Sequence, residues 1–201
     1  MNDFEHIVIQ PDQTKIRPAI LQDARVIASF FLIASDGMAA YIWDKSRSDQ
    51  TPLLDIGTAR YSRRNTPFSF ENCDLLEQDG EAIGMLHCFE MEADGGVDDD
   101  PVLQPYSQLE DAGSLYVAGL AISESFRRRG LGYKLMLQAE EKARQMGLSR
   151  VSLLCFDQNS AAMSLYHKLG YVEQGRAAVV PTPQLKYQDG DAVLLVKGVG
   201  D

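Results

Sequence analysis

Lys15 to Ala19 reads as a short strand, and Asp23 stands where a cap would open the apolar stretch Ala24 to Ala34, which predicts a helix. Ser35-Asp36-Gly37 breaks that stretch. Helical pieces over Met38 to Lys45 and Leu53 to Tyr61 follow, and Asn65-Thr66-Pro67 punctuates the chain after them. From there the period shortens to that of strands. Ser69 to Glu77 and Ala82 to Met91 are joined by Gln78-Asp79-Gly80-Glu81, a tetrad suited to a hairpin turn. Glu92 to Ser107 reads as an acidic loop. Beyond it the pattern predicts a strand at Ser114 to Ile122, a helix at Leu131 to Met146 closed by Gly147, and a strand at Val151 to Phe156. A helix at Ser160 to Leu169 closed by Gly170 comes next, then strands at Tyr171 to Gly175 and Asp191 to Lys197. Strands alternating with helices imply right-handed crossovers, so the sheet should be parallel in this half and, with the hairpin, mixed overall. The expected class is α/β. Without an internal repeat or a linker-rich stretch, residues 1–201 are expected to form one domain.

Composition changes this picture little: 45% hydrophobic and 24% charged residues are those of an ordinary folding chain. No apolar run approaches the roughly 18 residues of a membrane span, and Met1 to Gln10 has no basic flank ahead of an apolar core. Neither anchor nor export signal is expected, and no membrane partner. Cys73, Cys88 and Cys155 are odd in number and widely spaced, which argues against a disulfide framework and for a reducing cytoplasm. His6, His87 and His167 are equally scattered, so no metal is expected.

Charge is more informative. Between Asn65 and Phe126 there is no Lys or Arg, while fourteen acids fall there, from Glu71 through Asp98, Asp99, Asp100, Glu110 and Asp111 to Glu124. The rest of the chain carries 19 bases against 15 acids. A nucleic-acid binder needs a basic face, so that class is disfavoured. The acidic block is either a solvated surface or a lining that draws in a cation.

Arg127-Arg128-Arg129-Gly130-Leu131-Gly132 separates the strand ending at Ile122 from a helix whose inward positions are expected to be Leu131, Leu135, Ala139, the Lys142 stem, Ala143 and Met146. A helix start offers unpaired N–H groups and a positive dipole end, and glycine lets backbone close on a ligand, so phosphate oxygens suit such a turn. Tyr133, Lys134 and Leu135 after Gly132 satisfy neither GxxxxGK[ST] nor the third glycine of GxGxxG. Taken without company, the fragment could equally be a solvated basic turn. It has company. Twenty-seven residues after Gly132 the chain reads Asn159-Ser160-Ala161-Ala162-Met163-Ser164-Leu165-Tyr166-His167-Lys168-Leu169-Gly170-Tyr171. An RxxGxG turn followed by NxxAxxLYxKLGY resembles the acetyl-CoA-binding core of the GNAT superfamily of N-acetyltransferases, with the two motifs in that family's order.

The resemblance is strong over Leu115 to Gly175. It implies the GNAT fold, a central mixed, partly parallel twisted sheet with helices on both faces. Residues 114–175 would hold acetyl-CoA, and the helical region 24–64 would stand on the acceptor side. By the same resemblance the backbone of Leu120, Ala121 and Ile122 pairs with the pantetheine arm, and amides from Arg128, Arg129, Gly130, Leu131, Gly132 and Tyr133 hold the pyrophosphate, with Arg127 and Arg129 adding charge. Asn159 would cap the second helix and bond the cofactor arm. Tyr166 would point its hydroxyl at the thioester sulfur as general acid, and the Leu120 N–H would serve the thioester carbonyl. Cys155 is a nucleophile on paper, more simply read as a small buried hydrophobe.

An amine with a pKa of about 10.4 must lose a proton before it attacks a thioester. The family often supplies a glutamate six residues before the position of Ile122, and here that place holds Tyr116. Glu110 or Asp111 through water, Tyr116 itself, and His87 remain open as the base. The expected function is acetyl transfer from acetyl-CoA to an amine, a small molecule or a protein amine, of cationic character. A homodimer is one assembly open to it. The alternative is a non-catalytic acyl-CoA-binding sensor or scaffold of the same fold.

Overall fold

The computed structural model describes residues 13–48, 50–92, 96 and 98–200. The expectations for Met1 to Gln10, Asp94 and Gly95 lie outside these residues. Among the described residues seven strands form one sheet: β1 (Lys15–Pro18), β2 (Cys73–Gln78), β3 (Glu81–Glu90), β4 (Leu115–Ile122), β5 (Arg150–Phe156), β6 (Val172–Ala178) and β7 (Asp191–Gly198). Their order is β1-β2-β3-β4-β5-β7-β6, and only β4 with β5 pairs in parallel.

Helices cover both faces, as the resemblance implied. Leu75 and Leu76 on β2, like Met85 and Leu86 on β3, are all fully buried, because successive side chains point to opposite faces and each face has its own core. One core is closed by α1 (Ala24–Ala34), α2 (Met38–Lys45) and α3 (Leu53–Tyr61), through Ile27, Phe31, Trp43 and Tyr61. The other takes Leu131, Leu135, Met136 and Ala139 of α5 (Leu131–Gln145) and Tyr166 of α6 (Ser160–Lys168); α4 (Gln104–Ser107) is one turn within the acidic loop. Met146, expected inward, is 49% exposed because the helix ends one residue before it. Lys142 fulfils its place differently from a packing stem alone: its Nζ pairs at 2.8 Å with Asp74, buried on β2.

The structure departs from the expected order in one strand. β6 does run in the direction of β5, but β7 lies between them and pairs antiparallel with both. Burial explains it. Ala192 to Val196 are all buried, which suits an inner strand, whereas the Val172–Ala178 strand is mostly exposed and takes the edge. Near the hairpin, Ser69 to Asn72 form a capped single turn instead of strand, Ser69 Oγ accepting from the Glu71 amide at 3.1 Å. The hairpin turn itself is as expected, with Asp79 and Gly80 both left-handed at φ 54° and 81°.

Candidate active site

The site begins where the one parallel pairing ends. β4 and β5 are in register only from Leu115 to Val117 against Val151 to Leu153, with the buried hydroxyls of Ser114 and Ser152 joined at 2.6 Å at the closed end. Past Val117 the two strands part. β4 also carries a bulge at Ala118, where Val117 faces Cys88 and Gly119 faces His87 on β3. One extra residue inverts the alternation. Leu115 and Val117 pack toward α5 before it, and Leu120 and Ile122 do so after it, while Gly119 turns to α1. A Cβ on Gly119 would lie 3.0 Å from the Phe31 ring, so any larger residue there would press on α1.

Into the gap opens a groove of about 960 Å³. Its walls include Leu120, Ala121 and Ile122 of β4, Arg127, Arg128, Gly130, Leu131, Gly132 and Tyr133 of the basic turn, and Asn159 and Tyr166 of α6. Residues that the sequence placed in two separate motifs therefore share one cavity. The turn is held in an uncommon form, with Arg128 left-handed at φ 61° two residues before Gly130 at φ 78°. A non-glycine residue there costs about 1–3 kcal/mol, a strain typical of ligand clamps. No side chain caps α5, so the amides of its first turn face the groove without an intrahelical partner. The arginines differ in their commitments. Arg127 Nε donates to the Ile122 carbonyl at 3.1 Å, bracing the turn from the groove wall. Arg129 turns away, its Nη2 on the Ser125 carbonyl at 2.8 Å and its guanidinium 5.0 Å from the Phe126 ring.

α6 is capped where α5 is not. Asn159 Oδ1 accepts from the Ala162 amide at 3.3 Å, and its Nδ2 donates to Asp36 Oδ2 at 2.9 Å. Asp36 also receives Lys186 Nζ at 3.2 Å, so the α1–α2 turn, the start of α6 and the segment before β7 meet at the groove. Sequence reading missed Asp36 and Lys186. Gly37 beside them was legible as a breaker, yet its further constraint was not: at φ 103° a Cβ would stand 2.0 Å from the Gln184 carbonyl oxygen. The Tyr166 hydroxyl makes no hydrogen bond to another described residue. Burial, and then the nearby Cys155, Asp36 and Tyr116, hold its pKa well above that of a free phenol. Cys155 lines the groove too, but burial pushes its thiol up to about 12. It is a thiol, not a nucleophile, at neutral pH.

A model of the acetyltransferase (GNAT) family matches residues 34–171. The chain belongs to the GNAT family. GCN5-related N-acetyltransferase 6, chloroplastic, of Arabidopsis thaliana is 32% identical over 80 residues, 40% of this chain and 26% of that protein. The uncharacterized N-acetyltransferase YdgE of Bacillus subtilis is 34% identical over 56 residues, 28% of this chain and 36% of that protein. Both matches cover well under two thirds of the relative's own length. Among solved structures, an N-acetyltransferase of Staphylococcus aureus superposes with a TM-score of 0.63 at 18% identity, over 91% of this chain and 100% of that one. That likeness is one of fold.

On β4, before the strands part, the GNAT chain places Tyr116, opposite Ser152 of β5 and paired on its other side with Phe89, whose ring it meets edge-on at 5.6 Å. Burial, with the Glu110 carboxylate second, raises the Tyr116 hydroxyl above its ordinary range. Asp111 is committed elsewhere: its carboxylate accepts from Arg150 Nε at 2.9 Å and Nη2 at 3.0 Å. Much of the acidic block is similarly paired, Glu71 with Arg64, Asp74 with Lys142, Glu77 with Arg17 and Asp100 with Lys45. The sequence could not foresee this, since every one of those bases lies outside the block.

His87 is fully enclosed. Its Nε2 donates to the Pro67 carbonyl at 2.9 Å, which leaves Nδ1 to accept from the Tyr61 hydroxyl at 3.1 Å, so both ring nitrogens are occupied in the neutral form. This removes it as a base for the groove. Burial lowers its pKa from 6.5 to about 4. Between those values the unfolded chain takes up a proton that the folded one refuses, so stability falls as pH drops through that window, by about 3 kcal/mol in all. NMR titration of the His87 ring should find it neutral at pH 5.5; a midpoint near 6.5 would contradict this burial.

Proposed function

We propose that the protein transfers the acetyl group of acetyl-CoA to an amine by direct attack in a ternary complex. The observation that carries this reading is the continuity of one groove, from the uncapped start of α5 to the Tyr166 hydroxyl, through the place where β4 and β5 part. The residues fit the group. Gly132 leaves backbone open to the groove, where a side chain would enter the space beside Leu165 and Leu120. Amides from Arg128 to Tyr133 hold pyrophosphate oxygens, and Arg127 and Arg128 add charge beside them. The exposed edge of Leu120 to Ile122 holds the pantetheine arm as a further strand would, with the Leu120 N–H serving the carbonyl. Bound acetyl-CoA supplies an acetyl group already activated as a thioester.

Tyr166 holds its proton across the neutral range and gives it to the departing sulfur. An alkyl amine enters as a cation, and the charges of Glu110 near Tyr116 and of Asp36 near Tyr166 favour that end of the acceptor. The amine proton leaves toward Tyr116 or, through water, Glu110; the enclosed His87 and the Arg150-paired Asp111 do not serve the groove. A panel of amines with acetyl-CoA, followed by free thiol release, tests the reading. Release that depends on the amine is expected. The family's glutamate is replaced here by Tyr116, and this favours a second reading, a non-catalytic acyl-CoA sensor or scaffold that binds coenzyme A and releases no thiol with any amine.

A further inference from the structure

Arg60, on the last turn of α3, is a partly buried charge without an acid beside it. Its guanidinium lies 4.4 Å from the Phe68 ring centroid, and its Nε is buried without a hydrogen-bond partner. No carboxylate among the described residues pairs with it. The nearby charge that acts on it is Arg63, of the same sign, and burial together with Arg63 lowers its pKa. Other arginines of the chain are paired: Arg64 with Glu71, Arg17 with Asp23 and Glu77, and Arg150 with Asp111. A partly buried guanidinium left without an acid is a costly arrangement that an external anion would relieve.

Its position gives this a purpose. Phe68 lies tilted against Phe89 at 5.7 Å, and Phe89 meets Tyr116 edge-on at 5.6 Å, Tyr116 standing on β4 just before the strands part. Phe68, Phe89 and Tyr116 are each half-buried, so they form an aromatic path with Tyr116 near the Tyr166 hydroxyl at one end and Arg60 at the other. We propose that Arg60, Phe68, Phe89 and Tyr116 form an acceptor subsite that seats a carboxylate on Arg60, so that the acceptor is an elongated amine with an apolar body and a distant carboxylate. This rests on the transfer reading above and names the substrate class for it. Guanidinium matches carboxylate through two parallel N–H bonds, and the rings suit an apolar middle.

The test compares glycyl-phenylalanyl-glycine bearing a free carboxyl terminus with its C-terminal amide, in the wild type, Arg60→Gln and Arg60→Lys. Thiol release gives kcat/KM, and calorimetry in the presence of coenzyme A gives peptide affinity without turnover. In the wild type the acid should exceed the amide by about tenfold in kcat/KM, through KM. In Arg60→Gln the ratio should fall to about one and in Arg60→Lys to an intermediate value, with coenzyme A affinity unaltered in both. Equal use of acid and amide by the wild type, or a ratio that survives Arg60→Gln, would overturn the proposal. If neither peptide is acetylated, the transfer reading fails for this class and calorimetry decides the subsite alone: an acid preference lost in Arg60→Gln supports it, and equal binding sinks it.

Discussion

Gly132→Val is expected to weaken coenzyme A binding at least a hundredfold while the protein stays folded. A Cβ at this position would lie 3.2 Å from Leu165 Cδ2 and 3.7 Å from Leu120 Cδ2, and the two valine methyls would extend into the groove above the first turn of α5. The contacts are with the tips of leucine side chains, which can give by a few tenths of an ångström, and the backbone there is ordinary helix, so the fold tolerates the change. What it loses is close approach. In the proposed mode the pyrophosphate bonds to amides, and a branched side chain would hold it beyond hydrogen-bond distance from them. Calorimetry with coenzyme A measures the affinity and far-ultraviolet circular dichroism the fold. Unchanged affinity in a folded variant would place the phosphate cradle elsewhere.

Tyr166→Phe is expected to lower kcat by roughly tenfold to a thousandfold, the scale of one general acid acting on a fair leaving group, with coenzyme A affinity nearly kept. The ring packs edge-on against Tyr171 at 6.0 Å and phenylalanine preserves that contact, so only the proton is lost. Because burial and three neighbours hold the hydroxyl above the ordinary phenol range, it stays protonated from pH 6 to 9 and the deficit should be flat across that interval. Equal rates for the two forms would return Tyr166 to the core.

Gly132 and Tyr166 are both legible in the amino-acid sequence, and the reason is local. The turn from Arg127 to Gly132 and the run from Asn159 to Tyr171 each lie within a few residues of the helix they open or form, so the resemblance to the GNAT family that marks them is carried by short contiguous stretches. The helices and strands themselves follow from apolar periodicity of the same short range. What the sequence conceals depends on distant partners. Insertion of β7 beside β5 follows from its being the more apolar of two late strands, a comparison between segments and not a pattern within one. The Ala118 bulge is defined only by its register with β3, and Asp111 is diverted by Arg150, 39 residues away. His87 resembles any lone histidine until Tyr61 and Pro67 close around it.

The same division of near and far bears on the order in which the site can be assembled. The phosphate turn and the helix it opens are contiguous in the chain, so they can form as soon as that segment collapses against the sheet. The bridge at the groove's mouth cannot. Asn159 and Lys186 reach Asp36 across 123 and 150 residues, and loops of that length close late, after the shorter-range contacts are in place. The entrance of the groove thus rests on contacts of far longer range than the turn that opens α5, and it takes its shape only when Asp36, Asn159 and Lys186 are all in place.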